Sequence, residues 1–282
     1  MVVIVFFGIY SVLPHISMPS LDNFKTYMRF TANDEEDMVT NANITLSKTS
    51  GDDITANAYI VKNLTTKQTI YGHGQDTMVP IASLTKLFTA AVAKNLIADD
   101  QKITITQNII STYGNTAQLR AGETILSGDL YYPLLMVSSN DAAEAFAQSY
   151  GRQKFIAAMN DFAQSIGAYQ SYFADASGLS PDNRSTATDM AIILDWIRKN
   201  DPELLDIMHT KSMTVRNHTW VNPSHFLNWS NYVGGKNGYT PEAGLTGSEI
   251  FTFGANKDVY AVVVLGSEAR DNDVVKLLAK IK

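Results

Sequence analysis

The chain of 282 residues contains no cysteine. Disulfides and thiolate metal sites are therefore excluded. Positive charge is also scarce. Lys and Arg number 22 against 28 Asp and Glu, the net charge is −6, and no basic run occurs. Nucleic acid is accordingly not expected as a partner. The five histidines, His15, His73, His209, His218 and His225, never form H-x-x-x-H or H-E-x-x-H, so spacing gives a metalloenzyme no support. No apolar run reaches the roughly 20 residues a membrane span needs. The longest candidate, residues 2–13, is interrupted by Pro14 and His15. What is present is ordinary for a soluble protein: 45% hydrophobic and 18% charged residues. The length suits one large domain, with or without a sub-domain, and a sizeable core.

The first 20 residues, "MVVIVFFGIYSVLPHISMPS", carry no charge. They read as an export signal or membrane anchor, although the basic start of a signal peptide is missing. A buried first helix or strand is the alternative. Residues 21–53 include the polar, acidic "TANDEEDMVTNAN" and read as a linker. Residues 54–282 form the expected folded domain. Two strand-like runs flank a polar turn at 63–67. "ITITQNII" alternates and suggests a short strand. From 114 to about 150 the text turns helical, with breaks at Gly122 and Gly128. "GRQKFIAAMNDFAQSIGA" repeats Phe155, Ile156, Met159, Phe162 and Ile166 at helical spacing and stops at Gly167. "STATDMAIILDWIRKN" is a second helix, capped by Thr188 or Ser185. The last third returns to strands and closes on the helix "DNDVVKLLAKIK". Strands at both ends imply one sheet assembled from distant segments, covered by helices, with a helical sub-domain at about 110–200.

The chemistry centres on "VPIASLTKLFTAAVA". On a helix, Ser83 and Lys86 share one face, with Cβ atoms about 5–6 Å apart. Serine is a weak nucleophile and needs a base within hydrogen-bond reach. Lysine can serve only when neutral, and burial or a second cation lowers its pKa. Ile81, Leu84, Leu87 and Phe88 supply apolar surroundings. One S-x-x-K is expected by chance in about every chain of this size. Two further motifs follow in order, however. Ser138-Ser139-Asn140 is an S-x-N, and Lys236-Asn237-Gly238 approximates K-T-G behind two glycines. The ordered set S-x-x-K, S-D-N, K-T-G marks penicillin-binding proteins and class A β-lactamases.

Through "IASLTKLFTA", "LLMVSSNDAAEAFA", "DASGLS" and "GGKNGYTPEAG", residues 54–282 resemble the D-alanyl-D-alanine carboxypeptidases of the low-molecular-mass penicillin-binding type. The resemblance implies a mixed α/β (α+β) fold of the β-lactamase/transpeptidase-like kind. An antiparallel sheet is flanked by helices, an all-α sub-domain is added, and the site lies in the cleft between them. It implies roles as well. Ser83 is the nucleophile, Lys86 its base, and Ser138 the relay to the leaving amine. Asn140 holds the substrate amide and Lys86. Lys236 meets the substrate carboxylate and keeps Lys86 neutral. The backbone N–H groups of Ser83 and Tyr239 form the oxyanion hole. Gly238 allows close approach of substrate, and Asn237 stands where the family usually has threonine. Thr240 could share carboxylate recognition with it, and so could Arg270, which otherwise reads as a solvated charge at a helix start. The implied partners are peptidoglycan peptide stems and, as covalent inhibitors, β-lactams. No metal or cofactor is implied, and the expected location is outside the cytoplasmic membrane.

Two alternatives remain open. A class A-like β-lactamase needs a glutamate to activate water, and "YFADASGLSPDNRSTATD" has none. Asp175 there reads equally as a turn residue, and Glu144 as solvent-facing. A catalytically silent peptidoglycan-binding protein is the second alternative, favoured by Asn237 alone. The aromatics Trp220, Phe226, Trp229 and Tyr232 read as core packing, with a lining of the cleft as the sharper option.

Overall fold

The computed structural model describes residues 54–114 and 116–281. The signal or anchor expected at 1–20 and the linker at 21–53 lie outside the described residues. Among the described residues, no helix is long and apolar enough to cross a membrane.

A five-stranded antiparallel sheet organises the fold. Its strands are β1 (Ala58–Asn63), β2 (Thr69–His73), β9 (Tyr232–Thr240), β10 (Gly244–Phe253) and β11 (Asp258–Ser267), in the order β2-β1-β11-β10-β9. The ends of the described chain thus meet in one sheet, as the sequence pattern suggests. Side chains alternate between faces along each strand, and each face is buried under its own apolar cluster. Ile60, Ile250, Ala261, Val263 and Leu265 face the main helical core. Val61, Phe251, Val262 and Val264 pack with Val274 and Leu277 of the closing helix. Phe226, Trp229 and Tyr232 join this second cluster and Trp220 the first, so these aromatics are core residues.

Short strands β3 (Val79–Pro80) and β6 (Arg184–Ser185) pair with each other, as do β4 (Lys102–Thr104) with β5 (Thr124–Leu126) and β7 (Ser212–Val215) with β8 (His218–Val221). The helices are α1 (Thr85–Leu96), α2 (Gln107–Ile110), α3 (Ser127–Met136), α4 (Asn140–Tyr150), α5 (Arg152–Ser165), α6 (Ala187–Asn200), α7 (Pro202–His209) and α8 (Arg270–Leu278). Helix α1 is buried on nearly all sides, which suits its run of alanine, leucine and phenylalanine.

Three local expectations need correction. In "ITITQNII" only the start is strand. Thr106 accepts from Ile109 N–H and turns the rest into α2. Gly128 lies in the first turn of α3 and breaks nothing, whereas β5 occupies part of the segment read as helical. Helix α6 is capped by Thr186, between the two candidates, because its hydroxyl is the one that reaches Asp189 N–H.

Candidate active site

The site forms where β9, the edge strand, passes the start of α1. A short 3-10 helix, Ala82–Leu84, precedes α1 and carries Ser83. This turn is pinned from three sides. Ile81 N–H donates to Asn183 O at 3.1 Å, Thr246 Oγ1 donates to Ile81 O at 3.2 Å, and Asn183 Nδ2 donates to Thr85 Oγ1 at 3.1 Å. Ala82, next to the serine, has φ +49°. A non-glycine residue there costs of order 1–3 kcal/mol, so the surrounding bonds hold a strained turn. Gly238 faces it from β9. A methyl group at that position would lie 2.8 Å from Ser83 N. The strand therefore approaches the serine amide as closely as a backbone without a side chain can.

Lys86 is fully buried beneath Ser83. Its Nζ lies 2.9 Å from Ser83 Oγ, 2.7 Å from Asn140 Oδ1 and 2.6 Å from Ser177 O. The last two partners can only accept hydrogen bonds. Asn140 Nδ2 donates to Tyr113 O at 2.7 Å, which fixes the amide with its oxygen toward Lys86. A neutral amine has two N–H groups and one lone pair. The two acceptors take the N–H groups, and the lone pair is left for the one partner able to donate, the Ser83 hydroxyl. Burial holds the Lys86 ammonium well below its usual range, and the charge of Lys236 adds to that, with Asp175 opposing. Geometry and electrostatics thus both favour a base poised toward Ser83.

The third wall is the turn before α4. Ser139 caps the helix by accepting from Ala142 N–H at 3.0 Å. Ser138, one residue earlier, has φ +59° and a buried hydroxyl with no partner among the described residues. The strained turn aims one serine at backbone and frees the other. Lys236, buried on β9, donates to Asn237 O at 2.6 Å. Burial lowers its ammonium to about 7, Glu249 raises it and Arg270 lowers it further.

The other sequence candidates are placed as follows. Asn237 pairs with Gly247, over which the stem of Arg270 lies. Asn237 and Arg270 therefore share a face, and Arg270 packs half-buried over β10 rather than standing as a solvated helix start. Tyr239 is partly exposed beyond Gly238. Thr240 Oγ1 accepts from Ala243 N–H at 3.1 Å, which commits that oxygen to the turn into β10. Asp175 is a turn residue. It accepts from Ser177 N, Gly178 N and Ser180 N at 2.6–2.7 Å. Glu144 does not face solvent, as its side chain is 13% exposed and ion-paired with Arg152. The pair, with a bond from Gln148 Nε2, holds that carboxylate on α4. The carbonyl of Ser177 is the contact of Lys86 that the sequence does not reveal. A backbone oxygen leaves no residue signature, although the D-x-S-G turn that aims it does.

Among the described residues, no group of His, Cys, Asp and Glu is arranged to hold a metal ion. Comparison with known proteins gives one direction. The family model for D-alanyl-D-alanine carboxypeptidase matches residues 44–268. The D-alanyl-D-alanine endopeptidase of Pseudomonas aeruginosa is 32% identical, over 68% of this chain and 66% of the relative. The D-alanyl-D-alanine carboxypeptidase of a Streptomyces species is 28% identical, over 76% of this chain and 82% of the relative. The crystal structure of the Streptomyces K15 DD-transpeptidase superposes with a TM-score of 0.75 at 27% identity, covering 81% of this chain and 97% of that one. The chain spans just under two thirds of the endopeptidases it matches in Pseudomonas aeruginosa and Escherichia coli.

Proposed function

The chain belongs to the D-alanyl-D-alanine carboxypeptidase family, and on that premise we propose that it is a serine-type carboxypeptidase of peptidoglycan peptide stems. Ser83 Oγ attacks the carbonyl carbon of the penultimate D-alanine while Lys86 Nζ takes the hydroxyl proton. The oxyanion that forms is met by the backbone N–H groups of Ser83 and Tyr239. Each such donor is worth roughly 2.7–4 kcal/mol to the transition state. Ser138 passes a proton to the departing amine, terminal D-alanine leaves, and water hydrolyses the ester on Ser83. Lys236 receives the terminal carboxylate, with Asn237 and Arg270 beside it. β-Lactams enter the same site as acylating inhibitors. Action on stem peptides puts the enzyme outside the cytoplasmic membrane, with residues 1–20 as its export signal or anchor.

The observation that carries this reading is the buried Lys86. Two acceptor-only partners surround it, and its third neighbour is the Ser83 hydroxyl at 2.9 Å. The test is release of D-alanine from a peptide ending in D-Ala-D-Ala. The wild type should release it and Ser83→Ala should not. Equal release by the two would refute the assignment. The names of the Pseudomonas and Escherichia relatives favour a second reading, cleavage inside a cross-link. A purified cross-linked stem dimer separates the two. Cleavage of the dimer in preference to the linear peptide supports the endopeptidase.

A further inference from the structure

One buried acid has no part in that mechanism. Glu249 lies on β10, 3% exposed, on the sheet face covered by α8. The register sets it opposite Gly235, the residue before Lys236. A methyl group built on Gly235 would run into Glu249 Oε2. The carboxylate therefore occupies the volume that a side chain at 235 would fill. Its hydrogen bond among the described residues comes from Tyr232 Oη, at 3.2 Å. An ionised carboxylate is costly in such a place unless charge of the other sign is near. Two cations are: Arg270 of α8, and Lys236 from across the edge strand. Asp271 also faces it from α8, but Arg270 Nε and His225 Nδ1, each at 2.6 Å, already hold that carboxylate.

We infer that Glu249 is a positioning residue for substrate recognition. From behind the edge strand it is the counter-charge of Lys236 and Arg270, and it keeps Lys236 cationic where the terminal carboxylate of the substrate arrives. This deepens the carboxypeptidase reading and rests on it. The packing makes the role sensitive to pH. Burial raises the Glu249 carboxyl to about 7, and burial lowers the Lys236 ammonium to about 7. Below that point Glu249 is protonated and contributes no charge. Above it, the ionised carboxylate helps to hold the proton on Lys236.

The test is the pH profile of acylation by benzylpenicillin, with KM for a D-Ala-D-Ala peptide measured in parallel. Glu249→Gln should match the wild type at pH 6 and fall behind by about ten-fold at pH 8, the equivalent of one pKa unit. The loss should appear in KM and not in kcat. The double variant Gly235→Ala/Glu249→Ala refills the same volume without charge, and it should show the same deficit. Profiles that run parallel to the wild type, or a double variant that restores the alkaline limb, would make Glu249 a space-filler and overturn the inference. If Glu249→Gln does not fold, the double variant decides alone. A wild type that forms no adduct at any pH would refute the carboxypeptidase reading itself, whereas an adduct with an unmoved profile refutes only the role of Glu249.

Discussion

Two of the three walls of the site are built differently. Around Lys86, every strong contact is short and local in chemistry: one hydroxyl, one side-chain amide and one carbonyl, all within 2.9 Å. Around Lys236, the short contact is to a neighbouring carbonyl, Asn237 O at 2.6 Å, and the rest of the environment is charge acting through space. Glu249 acts through the sheet, and Arg270 is brought in by a helix 34 positions further on. On the proposed mechanism, the Ser83 wall fixes where a proton can go and the edge-strand wall fixes how much positive charge awaits a carboxylate. Substitutions on the first should therefore abolish turnover, and those on the second should grade it.

The largest effect is expected at Lys86. Arginine keeps the charge but cannot lose its proton. Lys86→Arg should lower the acylation rate by about 10²–10⁴-fold, the usual worth of a general base, as measured by stopped-flow with a fluorescent penicillin. A near-normal rate would reduce Lys86 to a structural charge. Asn140→Asp is a finer probe of the same wall. A carboxylate against Lys86 favours the ammonium, which is inactive as a base. The rising limb of the acylation profile should move to higher pH, by about 1–3 units for an opposite charge at contact. An unmoved limb would mean that Lys86 is not the group being titrated.

These predictions rest on residues that the sequence exposes well, and the reason is physical. Ser83 and Lys86 are three positions apart on one helical face, and the strand alternation that buries Lys236 also brings Gly238 against Ser83. Short-range rules suffice for both. That one sheet joins the two ends of the domain is legible from their strand-like runs, but the strand order is not. Less was legible where the participant is backbone or a pairing register. The Ser177 carbonyl has no side chain to announce it. Glu249 looks like an ordinary polar residue until the register sets it on Gly235. Arg270 resembles a solvated helix start until its stem is seen over Gly247. Ser185, Thr186 and Thr188 all offer a capping hydroxyl, and only the backbone path selects Thr186 among them.

On the edge-strand wall, Asn237→Ala should cut carboxypeptidase activity about ten-fold, and Asn237→Thr should preserve it. A charge-assisted bond worth roughly 1.5–3 kcal/mol supports that size. If Asn237→Ala is silent and Arg270→Ala is not, recognition has passed to the arginine. The smallest expected effect concerns stability. Asp141, buried beside Asn140, has no side-chain partner among the described residues, and burial raises its carboxyl to about 6. An acid with a raised folded-state pKa binds more protons folded than unfolded. Stability should therefore fall as pH rises between about 4 and 6. Asp141→Asn should remove that slope and add about 1–3 kcal/mol above pH 6. Denaturant midpoints at pH 5 and pH 7 would check it, and an unchanged slope would show that solvent already reaches the carboxylate.

The central claim is that Ser83 is the nucleophile and Lys86 its neutral base. Intact-mass analysis after incubation with benzylpenicillin tests it most directly. The wild type should gain the mass of one penicillin, peptide mapping should place it on Ser83, and Ser83→Ala should gain nothing. An unmodified wild type, or an adduct that survives in Ser83→Ala, would contradict the account.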